Sequence, residues 1–391
     1  MEIRERVRGL YERFPYPTPT QDLNPFRQGK VAELGFLQPF YHKFWPRETF
    51  RDDLDILVAG CGSSQAARWA AAHPNSNVTG IDLSEASLKQ TRALADQFHL
   101  QNLALERLSL EDSGQLNKTF DLIVSTGVLH HLPDPAAGLR ALRELLRVGG
   151  VIYWMVYAPL GRDAIYYLQN FLATLGVRAD RLDAADIHAL QELVSHLPPS
   201  HPLWQRRQQF PDLMNQAELM DYLLHPQDRP FTITEYHELS RQCGLKVQDL
   251  FNRAHYQIPA GRMNQKLLRR WNALDEVQRL AAGEQYRAAL FRHDLISCRA
   301  DRPEASFRLG GDWREWIPVR APGLQVLDGQ AFWPGHAFDD IRLSLAVPMR
   351  RFLREVNDKS SVAEIQRVSG VRVNKSLLQP LVDHDYLWFR Q

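Results

Sequence analysis

Short apolar runs alternate with longer amphipathic segments between residues 51 and 160. Leucines recur at helical spacing within residues 135–147, which predicts a helix with one face packed on a sheet. Strands that alternate with helices are typical of a doubly wound parallel α/β sheet, and we expect a Rossmann-like fold. The predicted strands lie at residues 55–59, 78–81, 103–108, from 120 onward and 151–157, and the predicted helices at 85–100 and 135–147.

The remaining residues divide into segments around this α/β domain. Residues 1–50 are expected to be a lid or cap rather than part of the sheet core. The domain itself spans residues 51–260, with a helical insertion at about 161–224. Near its end, Thr234 is the predicted N-cap of a helix at 235–243, and a strand at 245–251 is expected to close the fold. Residues 261–325 are predicted to form a helical connector.

The last segment, residues 326–391, has the pattern of a small winged-helix-like domain. Three short amphipathic helices are predicted at 343–356, 362–369 and 375–384, followed by a terminal strand at 386–389. Lys375 is the only cation in the segment where a DNA-recognition helix would lie, at residues 374–382. The pattern therefore favours a protein-docking or dimerising role, with a purely stabilising role as the alternative.

The composition limits the classes of partner. The chain has 391 residues, with 47 Lys and Arg against 46 Asp and Glu, and no basic block that predicts nucleic-acid binding. Its three cysteines are widely separated, which argues against a disulfide framework and favours a reducing compartment. No apolar run approaches the ~20 residues that a membrane span needs. We therefore expect a cytoplasmic protein whose partners are proteins or small molecules.

The turn after the first strand carries the strongest chemical signal. Gly60 and Gly62 let the backbone bend sharply and approach a ligand closely. Asp82 ends the second predicted strand, 22 residues after Gly60, where a carboxylate accepts hydrogen bonds from the two hydroxyls of a ribose. Both NAD and S-adenosylmethionine fit this far. A dinucleotide fingerprint requires a third glycine, however, and the chain has Gln65 there.

The sequence FDLIVSTGVLHHLPD at residues 120–134, taken with the glycine turn and Asp82, resembles the class I S-adenosylmethionine-dependent methyltransferases. The resemblance covers roughly residues 50–160 and implies S-adenosyl-L-methionine as the cofactor. It also implies that the turn holds the methionine end, that Asp82 holds the ribose, and that the fourth strand faces the methyl donor. The cofactor-binding residues expected on this basis are Ala59, Gly60, Cys61, Gly62, Asp82, Leu83, Ser109, Leu110, Thr126 and Gly127.

A second resemblance concerns the layout of the whole chain. The element YERFPYP at residues 11–17, LHPQ at 224–227 and a small helical C-terminal domain resemble the cyanobacterial family that includes the phycobiliprotein asparagine methyltransferase. The residues after Pro17 differ from the proline- and glycine-rich continuation of that enzyme. The resemblance thus implies membership of the wider family and leaves the acceptor open.

The candidate catalytic residues are His130, Tyr16 and Tyr157. His130 is a potential general base, although histidines in such loops also serve to fix the loop. The tyrosines are expected at the rim of an acceptor pocket. Further polar rim candidates are Tyr11, Tyr166, His225 and Asp228, and no metal site is predicted. The function predicted is methyl transfer to an acceptor that the sequence does not identify, with a protein side chain as one candidate. The alternatives are a small-molecule methyltransferase and a non-catalytic cofactor-binding scaffold.

Residues 11–17 are predicted to act as a lid over the cofactor. Two prolines restrict the backbone around Tyr16, and the aromatic side chains need a surface outside the doubly wound core. On this hypothesis, deletion of residues 1–18 lowers activity and leaves the stability of the ligand-free protein nearly unchanged.

Overall fold

The computed structural model describes residues 3–29, 37–259, 261–303, 309–333, 338 and 341–391. The strands of these residues are β1 (Asp55–Ala59), β2 (Asn77–Asp82), β3 (Leu103–Arg107), β4 (Phe120–Thr126), β5 (Leu146–Tyr157), β6 (Leu245–Leu250), β7 (Arg292–Arg299), β8 (Ile317–Arg320), β9 (Gln325–Leu327), β10 (Gln330–Phe332), β11 (Leu343–Ser344) and β12 (Leu387–Arg390). Their α-helices are α1 (Ile3–Arg13), α2 (Asn24–Arg27), α3 (Tyr41–Phe44), α4 (Gln65–Ala72), α5 (Glu85–Gln97), α6 (Pro135–Glu144), α7 (Pro159–Thr174), α8 (Ala184–Ser195), α9 (Pro202–Gln205), α10 (Gln216–Leu224), α11 (Ile233–Gln242), α12 (Gln265–Asn272), α13 (Glu276–Arg287), α14 (Val347–Glu355), α15 (Val362–Ser369) and α16 (Lys375–Asp383).

The central sheet has the strand order β3-β2-β1-β4-β5-β7-β6 within the described residues. Strands β1 to β5 pair in parallel, and β7 is antiparallel to both β5 and β6. From β1 the chain first adds β2 and β3 on one side and then returns to add β4 and β5 on the other side. Open α/β sheets bind ligands at such a reversal, which lies here between β1 and β4. The predicted doubly wound α/β fold is confirmed.

Helix α6 shows how the local sequence produces this layer. Asp134 caps its first turn by accepting hydrogen bonds from the backbone N–H groups of Ala136 and Ala137. Leu139 and Leu142, three residues apart, are fully buried against the sheet. The helix ends at Glu144, whereas the sequence predicted residue 147, because Leu146 already pairs with Phe120 as the start of β5.

The sequence predicted the strand at 245–251 correctly, as β6, but it placed the N-cap of the preceding helix wrongly. The N-cap of α11 is Thr232 and not Thr234, because Thr232 and Glu235 form a reciprocal capping box. Strand β6 lies at the edge of the sheet, and β7 lies between it and β5.

Strand β7 corrects the predicted connector most clearly. The sequence predicted helix through residues 261–300, and α12 and α13 do occur there, but Arg292–Arg299 is a strand of the central sheet. Its side chains from His293 to Cys298 are all buried, since both faces of the sheet are covered. The predicted domain boundary at residue 260 therefore leaves out one strand of the sheet.

The helical insertion packs its own hydrophobic core beside the sheet. Side chains of α7, α8 and α10 form this core together with Leu10 and Phe14 of the N-terminal segment. The later part of residues 1–50 has another place, because Phe44 and Trp45 are buried with sheet residues such as Ile56. The expectation that residues 1–50 form only a cap is wrong for this later part.

The C-terminal segment shares a hydrophobic core with the sheet. Phe352 of α14, Leu378 of α16 and Phe389 of β12 are fully buried in the same cluster as Ile56. Strand β12 pairs antiparallel with β8, which lies inside the predicted connector. Among the described residues, the helices are all too short or too polar to cross a membrane.

Candidate functional site

The glycine turn follows β1 at the carboxyl edge of the sheet. Gly60 and Gly62 have φ angles of +73° and +54°, a region that strains other residues. A Cβ atom at Gly60 would lie 2.3 Å from Cγ2 of Val128, and one at Gly62 would lie 2.5 Å from the carbonyl oxygen of Tyr16. Both positions thus require glycine on steric as well as conformational grounds.

Asp82 ends β2 directly beside this turn. Its Oδ2 accepts a hydrogen bond from the N–H of Gly62 at 2.8 Å, and its Oδ1 accepts one from the N–H of Ser84 at 2.9 Å. Burial raises the pKa of Asp82. Ser84 in turn caps α5 by accepting a hydrogen bond from the N–H of Ser87. The carboxylate therefore fixes the turn and stands at its ligand-facing edge.

A cavity of about 220 Å³ opens over the turn. Of the thirteen predicted catalytic and cofactor-binding residues, ten line it: Tyr16, Gly60, Cys61, Gly62, Asp82, Leu83, Leu110, Thr126, Gly127 and Tyr157. The rim candidate Tyr11 lines it as well. Three predicted residues do not: Ala59, Ser109 and His130. Ala59 is buried within β1, and the hydroxyl of Ser109 donates to Asp112 at 2.6 Å.

The cavity also takes in residues that the sequence did not assign to the cofactor. Gln65 donates a hydrogen bond to the Thr126 hydroxyl at 2.7 Å, which ties the first turn of α4 to the end of β4. Glu111, His131 and Met155 line the wall as well. The position of Gln65 after the turn was visible in sequence, whereas the others become neighbours only through the sheet.

The N-terminal segment lies across the mouth of the cavity. The hydroxyl of Ser63 donates to the carbonyl of Pro17. Glu12 accepts hydrogen bonds from the N–H groups of Glu85 and Ala86 at the start of α5. The Thr18 N–H and hydroxyl both donate to Glu218 of the insertion. The segment is thus fastened to the turn, to α5 and to α10.

Asp221 of α10 meets this segment at the inner end of the cavity. It is 1% exposed, and burial raises its pKa. It accepts hydrogen bonds from the hydroxyls of Tyr11 at 2.8 Å and Tyr157 at 3.3 Å. Burial also raises the pKa of both tyrosines well above 10.0, so that the phenols keep their protons. No local pattern in the sequence connects Asp221 with these two tyrosines.

The two loop histidines differ in their surroundings. His130 is fully buried, and its Nδ1 accepts from the N–H of Tyr157 at 3.4 Å, so its neutral ring carries the proton on Nε2. Burial lowers the pKa of His130 well below 6.5. His131 lines the cavity, and its Nδ1–H donates to the carbonyl of Gln227 at 2.7 Å. In neutral His131 the lone pair is therefore on Nε2.

A second buried layer supports these rings. The guanidinium of Arg162 pairs with Asp228 at 3.2 Å and lies 3.5 Å from the ring centroid of Tyr157. His225 stacks on His131 with ring centroids 3.7 Å apart. The predicted rim residues Tyr166, His225 and Asp228 belong to this layer and not to the cavity wall.

His131, Asp221 and His225 offer nitrogen and oxygen atoms within 4.8 Å of one another, a grouping that is compatible with a metal ion. The two imidazoles stack at an interplanar angle of 26°, however, so their in-plane lone pairs do not converge. The Nδ1 of His225 accepts from the N–H of Gln227, which puts the proton of its neutral ring on Nε2. This arrangement favours a stacked polar layer over metal ligation.

The fold and the turn are those of class I methyltransferases, and comparison with known proteins agrees. The profile of the family described as "Methyltransferase domain" matches residues 57–152. The uncharacterized protein syc1184_c of Synechococcus is 31% identical over 281 residues, which cover 65% of this chain and 62% of that protein. A ubiquinone biosynthesis O-methyltransferase of Alkalilimnicola ehrlichii is 30% identical over 152 residues, which cover 38% of this chain and 54% of the enzyme.

The fold is shared over nearly the whole chain with a solved structure. PKMT2 from Rickettsia typhi, in complex with AdoHcy, aligns with 96% of this chain and 77% of its own, at a TM-score of 0.64 and 14% identity. Residues 57–152 therefore match a methyltransferase domain, and the fold shared with PKMT2 agrees with the class I type that the sequence predicted. The chain spans about three fifths of the length of the Synechococcus protein and about half of the length of the O-methyltransferase.

Proposed function

We propose that this chain is an S-adenosylmethionine-dependent methyltransferase and that its acceptor loses a proton during transfer. One cavity carries the proposal, because it joins the glycine turn and Asp82 to the tyrosines and the histidine at its inner end. The glycine turn and Asp82 are suited to hold the cofactor. The tyrosines and the histidine are suited to align an acceptor and receive its proton.

The residues present fit the cofactor. A Cβ at Gly60 or Gly62 would occupy the space in which a ligand can come close to the backbone of the turn. Asp82 uses one lone pair of each oxygen for a backbone N–H, and an ionised carboxylate has about four acceptor sites, so two remain for the ribose hydroxyls. Leu83 and Leu110 would flank the adenine, and Gln65 with Thr126 would face the methionine end.

When bound, S-adenosylmethionine supplies a methyl group activated by its sulfonium. The protein has to align the acceptor and exclude water, and such alignment is worth up to about 7–11 kcal/mol of the barrier. Tyr16 and Tyr157 line the cavity where the N-terminal segment closes over it, which supports the predicted role of both in placing the acceptor. Asp221 holds the Tyr157 hydroxyl in position.

The proton is best assigned to His131. It lines the cavity, and its hydrogen bond to Gln227 leaves the lone pair on Nε2. The carboxylate of Asp221 lies within 4.8 Å of its ring nitrogen and would stabilise the imidazolium that forms. The base predicted from the sequence, His130, has its Nδ1 occupied by a backbone N–H and lies behind the cavity wall, which favours a positioning role for it.

The acceptor belongs to the proposal as well. A protein side chain, as in the predicted function, and a small molecule both remain compatible with a domain related to O-methyltransferases. Membership of the cyanobacterial family that includes the phycobiliprotein asparagine methyltransferase also stays a prediction.

Ligand-dependent melting provides the first test. S-adenosylhomocysteine at 100 times its Kd should stabilise the protein by about 2.7 kcal/mol, and NAD should have no effect. Incubation of a host-cell lysate with methyl-tritiated S-adenosylmethionine should then label one of its fractions. Stabilisation by NAD alone would overturn the proposal. Stabilisation by S-adenosylhomocysteine without labelling would identify a non-catalytic scaffold instead.

A further inference from the structure

A groove of about 650 Å³ lies on the opposite side of α1 from the cofactor cavity. Its walls come from α1, from α7 and from the segment after α10. The apolar side chains of Leu10 and Phe14 line it, and Gln169 and Asn170 add carboxamides. We call this space the α1–α7 groove.

At one end of the α1–α7 groove, stacked aromatic rings separate it from the cofactor cavity. His225 lines the groove, and its ring stacks on His131, which lines the cavity. Tyr11 lies on the cavity side, with its ring centroid 5.6 Å from that of His225. A side chain that enters along the groove therefore reaches the proposed proton acceptor once Tyr11 and His225 separate.

An apolar stripe lies on α7 outside the lining of the groove. Tyr167, Phe171 and Leu175 follow one another at intervals of four residues, which places them on one face of the helix. They are 54%, 45% and 61% exposed. Large apolar side chains exposed together mark a surface for a macromolecule. A small acceptor enclosed in the groove would make no use of them.

The charges of the groove favour an acidic occupant. Arg6, Arg13 and Arg178 line it against Glu5 and Asp180, which gives a net charge of +1. Both acids are also paired with arginines, since Arg178 holds Asp180 at 3.0 Å and Arg8 binds Glu5. The Arg178–Asp180 pair is neutral as a whole and Arg8 offsets Glu5, so Arg6 and Arg13 give the groove its positive field.

We propose that the α1–α7 groove binds an acidic segment of a protein, whose side chain passes between Tyr11 and His225 to receive the methyl group. This inference rests on the proposed methyltransferase function and names the class of its acceptor. The segment would lie along α1 and α7, with its own apolar side chains on Tyr167, Phe171 and Leu175.

Gly9 offers a way to block the groove without altering the cofactor site. It is an exposed residue of α1 that lines the groove, and within the described part of the chain a Cβ there would meet nothing within 4 Å. Gly9→Phe should fill the groove and reduce labelling of lysate proteins by tritiated S-adenosylmethionine about a hundredfold. Affinity for S-adenosylhomocysteine, measured by calorimetry, should stay within twofold. Gly310→Phe is the matched control, because a Cβ there also meets none of the described residues within 4 Å and Gly310 lies outside the groove.

Two surface variants test the chemistry of the occupant. Arg6→Glu should lower the rate of protein labelling about threefold and weaken its dependence on salt, because rim charges act mainly on association. Arg181→Glu changes an exposed residue outside the groove and should leave both the labelling rate and its dependence on salt unchanged. Phe171→Ser should lower labelling at limiting acceptor and leave the rate with excess lysate protein unchanged.

The outcomes separate the inference from the function on which it rests. Full protein labelling by Gly9→Phe would overturn the groove as the acceptor path. Label in the small-molecule fraction alone would overturn the protein acceptor and leave the methyltransferase function intact. Wild-type protein that fails to bind S-adenosylhomocysteine would instead refute the proposed function itself.

Discussion

Replacing Asp82 by asparagine should damage the cofactor site in two ways. Oδ2 accepts from the N–H of Gly62 and Oδ1 from the N–H of Ser84. Asparagine keeps one of these oxygens and replaces the other with an NH₂ group, which cannot accept a hydrogen bond. Either the glycine turn or the start of α5 then loses its partner. The ribose hydroxyls would also lose an ionised acceptor.

The size of the effect follows from the charge on the acceptor. A hydrogen bond to a charged group contributes about 1.5–3 kcal/mol. Loss of that amount in the bound state alone would weaken affinity for S-adenosylhomocysteine about 10- to 150-fold, because 1.4 kcal/mol is a factor of ten. Burial raises the pKa of Asp82, so wild-type affinity should fall as the pH drops through this raised value. The asparagine variant should lack that dependence.

Calorimetric titration with S-adenosylhomocysteine across several pH values measures both effects. Asp96→Asn is the control, since Asp96 is an exposed acid further along α5 and does not line the cavity. A folded Asp82→Asn protein with wild-type affinity would refute the reasoning. So would a variant that keeps the pH dependence of the wild type.

Three further changes test other parts of the structure by urea unfolding. Gly62→Ala should destabilise the protein by at least about 1 kcal/mol, because the residue has a positive φ and its Cβ would clash with the carbonyl of Tyr16; an unchanged midpoint would contradict the turn geometry. Leu10→Ala should cost about 2–5 kcal/mol, because Leu10 is buried in the core of the insertion together with Phe14. If the Leu10→Ala protein is instead as stable as the wild type, the N-terminal segment contributes little to the free energy of unfolding, as the lid hypothesis requires. His225 is held neutral when folded, since burial lowers its pKa well below 6.5, and the unfolded chain binds a proton there, so stability should fall as the pH drops below about 6.5. His225→Asn should reduce that slope, and an equal slope in both proteins would show that His225 does not contribute to it.

The N-terminal segment has the position that the lid hypothesis requires, but it also contributes to the hydrophobic core. Tyr16 and Pro17 do lie against the glycine turn, as a lid requires. Leu10 and Phe14 also complete the core of the insertion, so deletion of residues 1–18 should destabilise the ligand-free protein. The expectation of nearly unchanged stability rested on the sheet alone, and the core of the insertion cannot be recognised from residues 11–17.

The proposed cofactor half of the candidate site carries signals that are local in the sequence. A glycine with positive φ, the residue after a strand and a capping aspartate each depend on a few neighbouring residues. Gly60, Gly62 and Asp82 could therefore be identified from their spacing. The strands from β1 to β5 follow for the same reason, since short apolar runs and helical periodicity are properties of single segments.

The acceptor half depended on tertiary structure. Asp221 meets Tyr11 across 210 residues of chain, and the tautomer of His131 is set by the carbonyl of Gln227, 96 residues away. Strand β7 was hidden for a related reason, because it follows two helices and its burial comes from neighbours on both faces. The sequence by itself determined the strands from β1 to β5 and the glycine turn. Only packing between distant segments decided which polar side chains share the buried site, because contacts of this kind leave no pattern in either segment alone.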